Sequence, residues 1–418
     1  MCWNTASLRI IAPAQASGRR FPPDRPVWHL TLDQIESGTG LIINKLIKPA
    51  GEAGSSTYVF DDTNVLYSKL RPYLNKVVSP REAGIATTEL VPLRPRAELV
   101  DREYLAYYLR SPAFVRFASA TVAGAKMPRI IMKKFWDHEV PLPPLREQLR
   151  IIEILKDVDK LRKQRTEANT KANRILPALF YEMFGNPVTN MNGEKWTMKQ
   201  LDAVTEISYG LPDRLDTSLT ANDGKRIITI SNVNIDGQID SSVERYTSLD
   251  KTKPEKARVL RDDLLFNWRN GSKEHIGKTA IWEDNCPGDV FHVSFLLRIR
   301  PKKENIEPYY LWALLNLLRG AGFFSAQSRM QVNSKFNASE LSALRIPVPP
   351  KKLQENFAGK LTTFRNITNQ QANSRKYINT LFETLLHCAF TGDLTAKWRE
   401  ANMKVLLQEM EHQTRMLA

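Results

Sequence analysis

The run Val140-Pro141-Leu142-Pro143-Pro144, followed by Leu145-Arg146-Glu147-Gln148-Leu149-Arg150-Ile151-Ile152, decides the architecture. Its closely spaced prolines bar a helix and favour an extended lead-in up to Leu145. Beyond that point apolar or small residues recur at steps of three and four, at Ile151, Ile154, Val158, Leu161, Ala168, Ala172, Ile175 and Leu179, with Arg165 interrupting the stripe. This is a coiled-coil spacing held over about four heptads. Charged residues fill the other faces, and Gly185-Asn186-Pro187 provides the stop. Residues 145–184, at about 1.5 Å each, predict a rod on the order of 60 Å long. Such a rod is too long for an ordinary globular core and needs a partner helix. Pro177 is expected to bend its last turns.

The partner is found by sliding the chain on itself. At an offset of 206 positions Val140-Pro141-Leu142-Pro143-Pro144 falls on Ile346-Pro347-Val348-Pro349-Pro350, and Gln148 falls on Gln354. The same register carries Ile151 onto Phe357, Val158 onto Phe364, Leu161 onto Ile367, Ile175 onto Leu381, Leu179 onto Leu385, and upstream Tyr104-Leu105 onto Tyr310-Leu311. One offset held over about a hundred residues identifies a tandem duplication, ordered globular unit, rod, globular unit, rod. Phe357, Phe364, Ile367, Ile378, Leu381 and Leu385 form the second stripe, so the two rods are expected to pair, antiparallel if the molecule closes on itself. Glu383 stands where the first rod has Pro177, which predicts two unequal rods. Two globular units held by a paired spacer suggest two half-sites on a duplex.

Composition agrees with such a partner. Sixty Lys and Arg against 45 Asp and Glu give a net charge of +15, which favours a polyanion, with nucleic acid ahead of an anionic membrane. No apolar run approaches the roughly 20 residues needed to span a bilayer. Cys2, Cys286 and Cys388 are odd in number and far apart, so they frame neither disulfides nor a zinc site, and a reducing cytoplasm is the expected compartment. The first twenty or so residues carry Arg9, Arg19 and Arg20 and no acid; they read as a disordered or variably started terminus, with folded chain from Val27.

Candidate contacts follow from basic residues in turns. Lys69 and Arg71 lie in Val65-Leu66-Tyr67-Ser68-Lys69-Leu70-Arg71-Pro72-Tyr73, where cations interleave with aromatics. That mixture suits phosphate contacts beside stacking surfaces, and equally an amphipathic strand and turn. Lys126, Arg129, Lys133 and Lys134 sit just before the proline entry to the rod. In the second unit, which begins near Trp196 with an echo of the Trp28 segment, Arg269, Asn270 and Lys273 form a basic turn followed by Gly277-Lys278-Thr279. Five residues separate Gly271 from Gly277 where a phosphate-binding loop has four, and Thr279 onward reads as a strand. Lys278 and the turn are therefore either a DNA-contacting loop or plain structure. The loop Ser325-Ala326-Gln327-Ser328-Arg329-Met330-Gln331-Val332-Asn333-Ser334-Lys335 occupies the place of residues 126–134. Arg329 can take guanine bidentately and Gln331 or Asn333 adenine, and Lys335 completes a loop equipped to contact DNA. Since the copies differ in residue type, the half-sites should differ.

The Pro-Leu-Pro-Pro-Leu-Xaa-Glu-Gln-Xaa-Arg-Ile-Ile block at Pro141 with its long helix, and the second copy ending Leu385-Leu386-His387-Cys388-Ala389-Phe390-Thr391-Gly392-Asp393-Leu394, resemble the specificity subunit of type I restriction–modification systems. The likeness covers the chain beyond about residue 25. It implies an α+β architecture of two mixed α/β target recognition domains separated by two long helices in an antiparallel coiled coil. The domains would be residues 1–139 and 188–345, the spacers 140–187 and 346–418. It implies a non-catalytic subunit that reads a bipartite, asymmetric sequence in double-stranded DNA and docks two methyltransferase subunits and, through them, restriction subunits. S-adenosylmethionine, ATP and Mg would sit on those partners, and no cofactor or metal on this chain. Glu147 faces Leu353 in the repeat, a departure that puts a partner contact there in doubt. The alternative of a different class is a stand-alone DNA nuclease on the same scaffold, for which the acidic pair Asp262-Asp263 is the nearest motif, though it reads first as a turn. The segment from Lys397 is helical by propensity and either extends the second rod or docks a partner.

Overall fold

The computed structural model describes residues 3–172, 174–191, 195–212, 219–249, 254–283, 288–327 and 334–417. The chain divides into two compact units, residues 1–166 with 372–418, and residues 167–371. The helices are therefore not separate spacers: each unit contains part of both.

Each unit is entered through the proline strand. Glu139–Leu142 pairs antiparallel with Asn4–Ser7, and Arg345–Val348 pairs with Thr197–Gln200. Two-stranded pairs of this kind tolerate prolines, because one edge of each strand has no ladder to break. The registers are the same, Asn4 opposite Leu142 and Thr197 opposite Val348. Leu8 and Leu201 follow, both fully buried, their N–H groups donating to His138 O at 3.0 Å and Leu344 O at 2.9 Å. The counterpart of Trp196 is thus Trp3, not Trp28. The expectation of a disordered N-terminus is overturned for the same reason: Leu8, Ile11 and Ala12 are core residues.

In the first unit, Leu46–Pro49, Pro26–Leu30, Gly84–Thr87 and Thr57–Phe60 form a mixed sheet in that order, with Pro26–Leu30 parallel to Gly84–Thr87. Val77–Val78, Val65–Ser68 and Leu90–Leu93 form a second sheet. The second unit repeats the plan with Tyr246–Thr247, Lys225–Ile228, Val290–His292 and Arg258–Val259, again with a parallel central pair. Its other sheet runs Thr205–Tyr209, Leu296–Pro301, Leu264–Asn267, Thr279–Ile281. A helix pair covers each core. Asp101 caps Arg102–Leu109 by accepting from Glu103 N at 2.7 Å, and Glu307 caps Pro308–Gly320 by accepting from Tyr310 N at 3.0 Å.

One side chain fastens helix cap to rod in both copies. Gln148 Oε1 accepts from Asp101 N at 2.8 Å while its Nε2 donates to Pro143 O at 2.9 Å; Gln354 does the same with Glu307 N, 2.9 Å, and Pro349 O, 2.7 Å. Both amides are fully buried. The offset of 206 is thereby a repeat of hydrogen bonds as well as of residues.

The first rod is two helices, Leu145–Ala172 and Ile175–Phe184. The interruption falls before Ile175–Phe184, whose third residue is Pro177; a proline has no N–H to donate to the preceding turn, so a helix tolerates it in its first turn and not in its interior. Lys351–Thr391, with Glu383 in that place, runs unbroken until Gly392 at φ +90°. In the first unit the helices run antiparallel, Arg162 Nε donating to Asn379 Oδ1 at 3.1 Å and Arg165 Nη2 to Ser374 Oγ at 3.0 Å. Arg165 therefore faces the other helix, in a polar stretch of seam.

The apolar seam is not the predicted stripe throughout. Ile151, Leu155 and Val158 are buried with Phe382, Leu386 and Ala389 in the first unit, and Phe180, Phe184, Phe357 and Leu361 in the second. Ile154, Leu179, Phe364, Ile378 and Leu385 are half-buried. Leu161, Ile175, Ile367 and Leu381 are 51, 49, 48 and 49 % exposed, which corrects their placement in the seam. Each helix packs on its globular unit as well as on the other helix. The buried face is therefore wider than a two-stranded stripe and rotated from it.

The C-terminal segment folds back onto the first unit as Ala396–Ala401 and Met403–Leu417. Buried Glu147 receives it, accepting from Thr395 Oγ1 at 2.6 Å, Arg399 Nε at 2.7 Å and Trp3 Nε1 at 3.1 Å. Gln413, also buried, donates to Pro143 O at 3.2 Å. Glu147 differs from Leu353 because it binds this chain's own tail.

Two histidines are held uncharged. His138 lies against Tyr108, Phe114 and Phe117, and His292 is fully buried with Nδ1 2.9 Å from Ala257 O. Burial pushes both down to about 4. Because the folded values lie below the ordinary 6.5, the stability they contribute is complete above that pH and is lost as pH falls towards 4. Denaturant unfolding across this window should show a decline of about 3 kcal/mol for His292. A folded His292→Phe variant should decline less.

Candidate nucleic-acid interface

The strand Val65–Ser68 is the central strand of the first unit's second sheet, and the chain then turns through Lys69, Leu70 and Arg71. Arg71 adopts φ +49° and donates its N–H to Pro128 O at 2.7 Å; Ile130 N donates to Lys69 O at 3.0 Å, and Leu70 forms a β-bridge with Arg129. This stitches the basic turn to the basic loop of residues 126–130. Lys69, Arg71, Lys126 and Arg129, about sixty residues apart, thus share one edge, with exposed Tyr73, Met127 and Ile131 around it. Lys133 and Lys134 are exposed on the following helix, Met132–Trp136.

Arg129 is held. Its guanidinium donates to both Glu89 oxygens, at 2.8 to 3.2 Å. These bonds keep the Glu89 carboxyl below its usual range. Arg129 therefore fixes the loop, while Arg71 and Lys126 are exposed cations it presents. Glu89 had no signal in the basic runs.

The second unit repeats the edge. Arg269–Asn270 pairs with Ser334–Lys335, Arg269 opposite Lys335, and Phe336 N donates to Trp268 O at 2.8 Å as Ile130 N does to Lys69 O. Leu70 and Arg269 are equivalent at an offset of 199, Arg129 and Lys335 at 206. A single-offset search finds the loops but misses the turns; a second search at 199 would have found them. Arg269 lies over the Phe295 ring at 5.4 Å, Asn270 Oδ1 accepts from Ser272 N at 3.1 Å, and Lys273 is half-buried in the 3₁₀ turn Lys273–His275. Arg329, Gln331 and Asn333 lie outside the described residues, as does the Lys335 side chain.

Lys278 does not belong to the edge. It is 8 % exposed, and its Nζ donates to Val233 O at 2.8 Å. Desolvation by burial holds its pKa below the usual lysine value. Gly277 beside it sits at φ +83°, where a Cβ would stand 2.4 Å from the Phe324 ring. Both residues are structural, because the loop turns inward under the helix Phe323–Gln327. Lys278→Gln should lower stability by about 1–2 kcal/mol, read by denaturant unfolding, and leave the salt dependence of DNA binding unchanged.

The acidic pair is also occupied. Asp263 is buried and accepts from Arg300 at 2.8 and 2.7 Å, and Asp262 pairs with Lys303 at a left-handed turn. Among the described residues no group of three or more His, Cys, Asp or Glu is placed to hold a metal ion, and no helix is long and apolar enough to cross a membrane.

A family model described as the type I restriction modification DNA specificity domain matches residues 47–172 and 193–377. A type I restriction enzyme MjaX specificity subunit from Methanocaldococcus jannaschii is 32 % identical over 203 residues, 47 % of this chain and 46 % of that protein. The EcoKI specificity subunit of Escherichia coli is 24 % identical over 336 residues, 76 % and 70 % of the two chains. The first of these alignments spans less than half of each protein. Among solved structures, a chain from a study of assembly and conformational transition of the type I R-M system aligns with TM-score 0.56 at 18 % identity, covering 94 % of this chain and 98 % of that one. The S subunit from M. genitalium aligns with TM-score 0.54 at 10 % identity, covering 93 % and 96 %. At these identities the structural matches establish the fold.

Proposed function

Because the chain belongs to the type I restriction–modification DNA specificity family, we propose that its two units each read one half of a split, asymmetric DNA target, and that its long helices dock two methyltransferase subunits and through them restriction subunits. Its part is recognition rather than catalysis; S-adenosylmethionine, ATP and Mg belong to the partners, in the cytoplasm. One observation carries the reading: the stitched basic edge occurs in both units, at the same place in the fold, with different residues. Equivalent position supports equivalent use, and different chemistry supports different half-sites.

Docking along the helices is supported by apolar residues that the seam leaves outside, Leu149, Leu161, Ile175, Ile367, Tyr377 and Leu381, each 48 to 73 % exposed. The separate changes Leu161→Glu and Ile367→Glu should each leave folding intact, within about 0.5 kcal/mol, and abolish or weaken co-purification with the methyltransferase subunit. A methyl-base map of host DNA with and without the gene tests recognition. Loss of one split motif is expected; an unchanged map, or site-specific cleavage by the purified chain with only a divalent metal, would sink the reading.

A further inference from the structure

A cleft of about 830 Å³ lies within the first unit, walled by the loop at residues 36–45, by residues 77–82, and by the charged flank of the helix Leu145–Ala172. Eight lysines and arginines line it against four carboxylates. At its wall two guanidinium groups are fixed by rings: Arg110 lies 5.5 Å from the Tyr107 centroid and 5.8 Å from that of Phe382, and Arg162 lies 4.3 Å over Phe382. Their side chains are only 9 and 16 % exposed. Both bond to one carboxylate, Asp159, at 3.4 and 3.0 Å, and Arg110 Nε is buried without a hydrogen-bond partner among the described residues.

Two guanidinium groups thus bond to one shared carboxylate in a desolvated place, with Glu36 adding a weaker attraction to Arg162, an arrangement that further negative charge would relieve. Burial, with Arg110 adding to it, lowers the Arg162 pKa. The duplication provides an internal control. At the offset of 206 the places of Arg110, Asp159 and Arg162 are taken by Asn316, Arg365 and Thr368, and Arg365 pairs with Glu283 at 2.7 Å. Among the described residues, the second unit pairs one cation with one carboxylate there. The excess in the first unit is therefore not required by the scaffold.

We propose that this cleft is a binding site for a phosphate group, with Arg110 and Arg162 as paired anchors and exposed Lys160 and Lys163 at its mouth. Guanidinium forks match phosphate oxygens, and the volume suits a small ligand or a projecting backbone group. The site does not depend on the stitched edges, so its failure and theirs are separately measurable.

The full-length protein is titrated with inorganic pyrophosphate at constant ionic strength, read by calorimetry and melting temperature against chloride. Saturable binding is expected, weakened about tenfold or more in Arg162→Gln and in Arg110→Gln. Arg162→Gln carries the test if Arg110→Gln does not fold. Duplex DNA that displaces pyrophosphate, with each variant lowering the salt slope of DNA binding by about one, assigns the site to a backbone phosphate. Pyrophosphate retained beside bound DNA assigns it to a free phosphorylated small molecule. No saturable binding, or binding unchanged in the folded variants, overturns the proposal.

Discussion

Glu147→Ala is expected to destabilise the first unit by about 3–5 kcal/mol, with loss of protection around residues 392–402 in limited proteolysis. The carboxylate is fully buried and answers three donors, of which Arg399 is itself largely buried with its side chain 13 % exposed. Removing the carboxylate leaves a buried guanidinium without its counter-ion beside the Trp3 ring, 4.8 Å away, held by its remaining bonds to Gly392 O and Thr395 Oγ1, and frees Thr395 and Trp3 from their acceptor. Glu147→Gln keeps an acceptor but loses the charge, so it should fall between alanine and the parent. Glu147→Leu, the residue that the repeat carries as Leu353, should behave like alanine, because leucine offers Arg399 nothing. Stability of all three variants equal to that of the parent in urea would show that the tail is held by its apolar contacts, such as buried Leu406, rather than by this carboxylate.

The second large effect concerns DNA. The triple change Lys69→Gln, Arg71→Gln, Lys126→Gln should lower the slope of log K against log salt by about 2–3 and reduce affinity roughly a hundredfold near physiological salt. These side chains are gathered at one edge, and a cation on a phosphate releases about one counterion. Changing Arg269 to Gln with Asn270 to Ala should act differently. If that edge reads bases, about 1–3 kcal/mol of discrimination is lost per bidentate contact. The methylated motif should then relax in one half only. Filter binding across salt and a methyl-base map check the two outcomes. Relaxation of both halves by either set would show that the units do not read separately.

Much of this architecture is written in the order of residues. The proline lead-in, the long apolar spacing and the repeat at 206 were sufficient for two globular units and two long helices expected to pair, because the helix period is a local property that survives in one dimension, whereas the mixed α/β class of the units came from the resemblance. Lys126–Arg129 and Lys69–Arg71 were each visible as basic runs. Their union was not, since a β-bridge between Leu70 and Arg129 leaves no local pattern. Lys278 misled for the complementary reason: a lysine beside a glycine looks exposed until the fold turns it onto the Val233 carbonyl. The N-terminal residues misled through their charge, although Trp3 and Leu8 are spaced as Trp196 and Leu201 are and pair in the same register.

The sequence by itself determined the duplication and, through the resemblance it carries, the class of fold and the family to which the chain belongs; it marked the end of the first rod as irregular at Pro177, although the interruption falls before that residue. The tertiary structure alone decided which helix face is buried, so that Leu161 and Ile367 lie outside while Arg165 meets Ser374. It alone decided that Glu147 binds Thr395 and Arg399, 248 and 252 residues away, and that Arg110 and Arg162 share Asp159. Periodicity says that a helix has an apolar side; how wide that side is, and which polar groups are sealed beneath it, depend on every surface packed against it. Burial and charge balance are properties of the assembled neighbourhood, and the neighbours are distant in the chain.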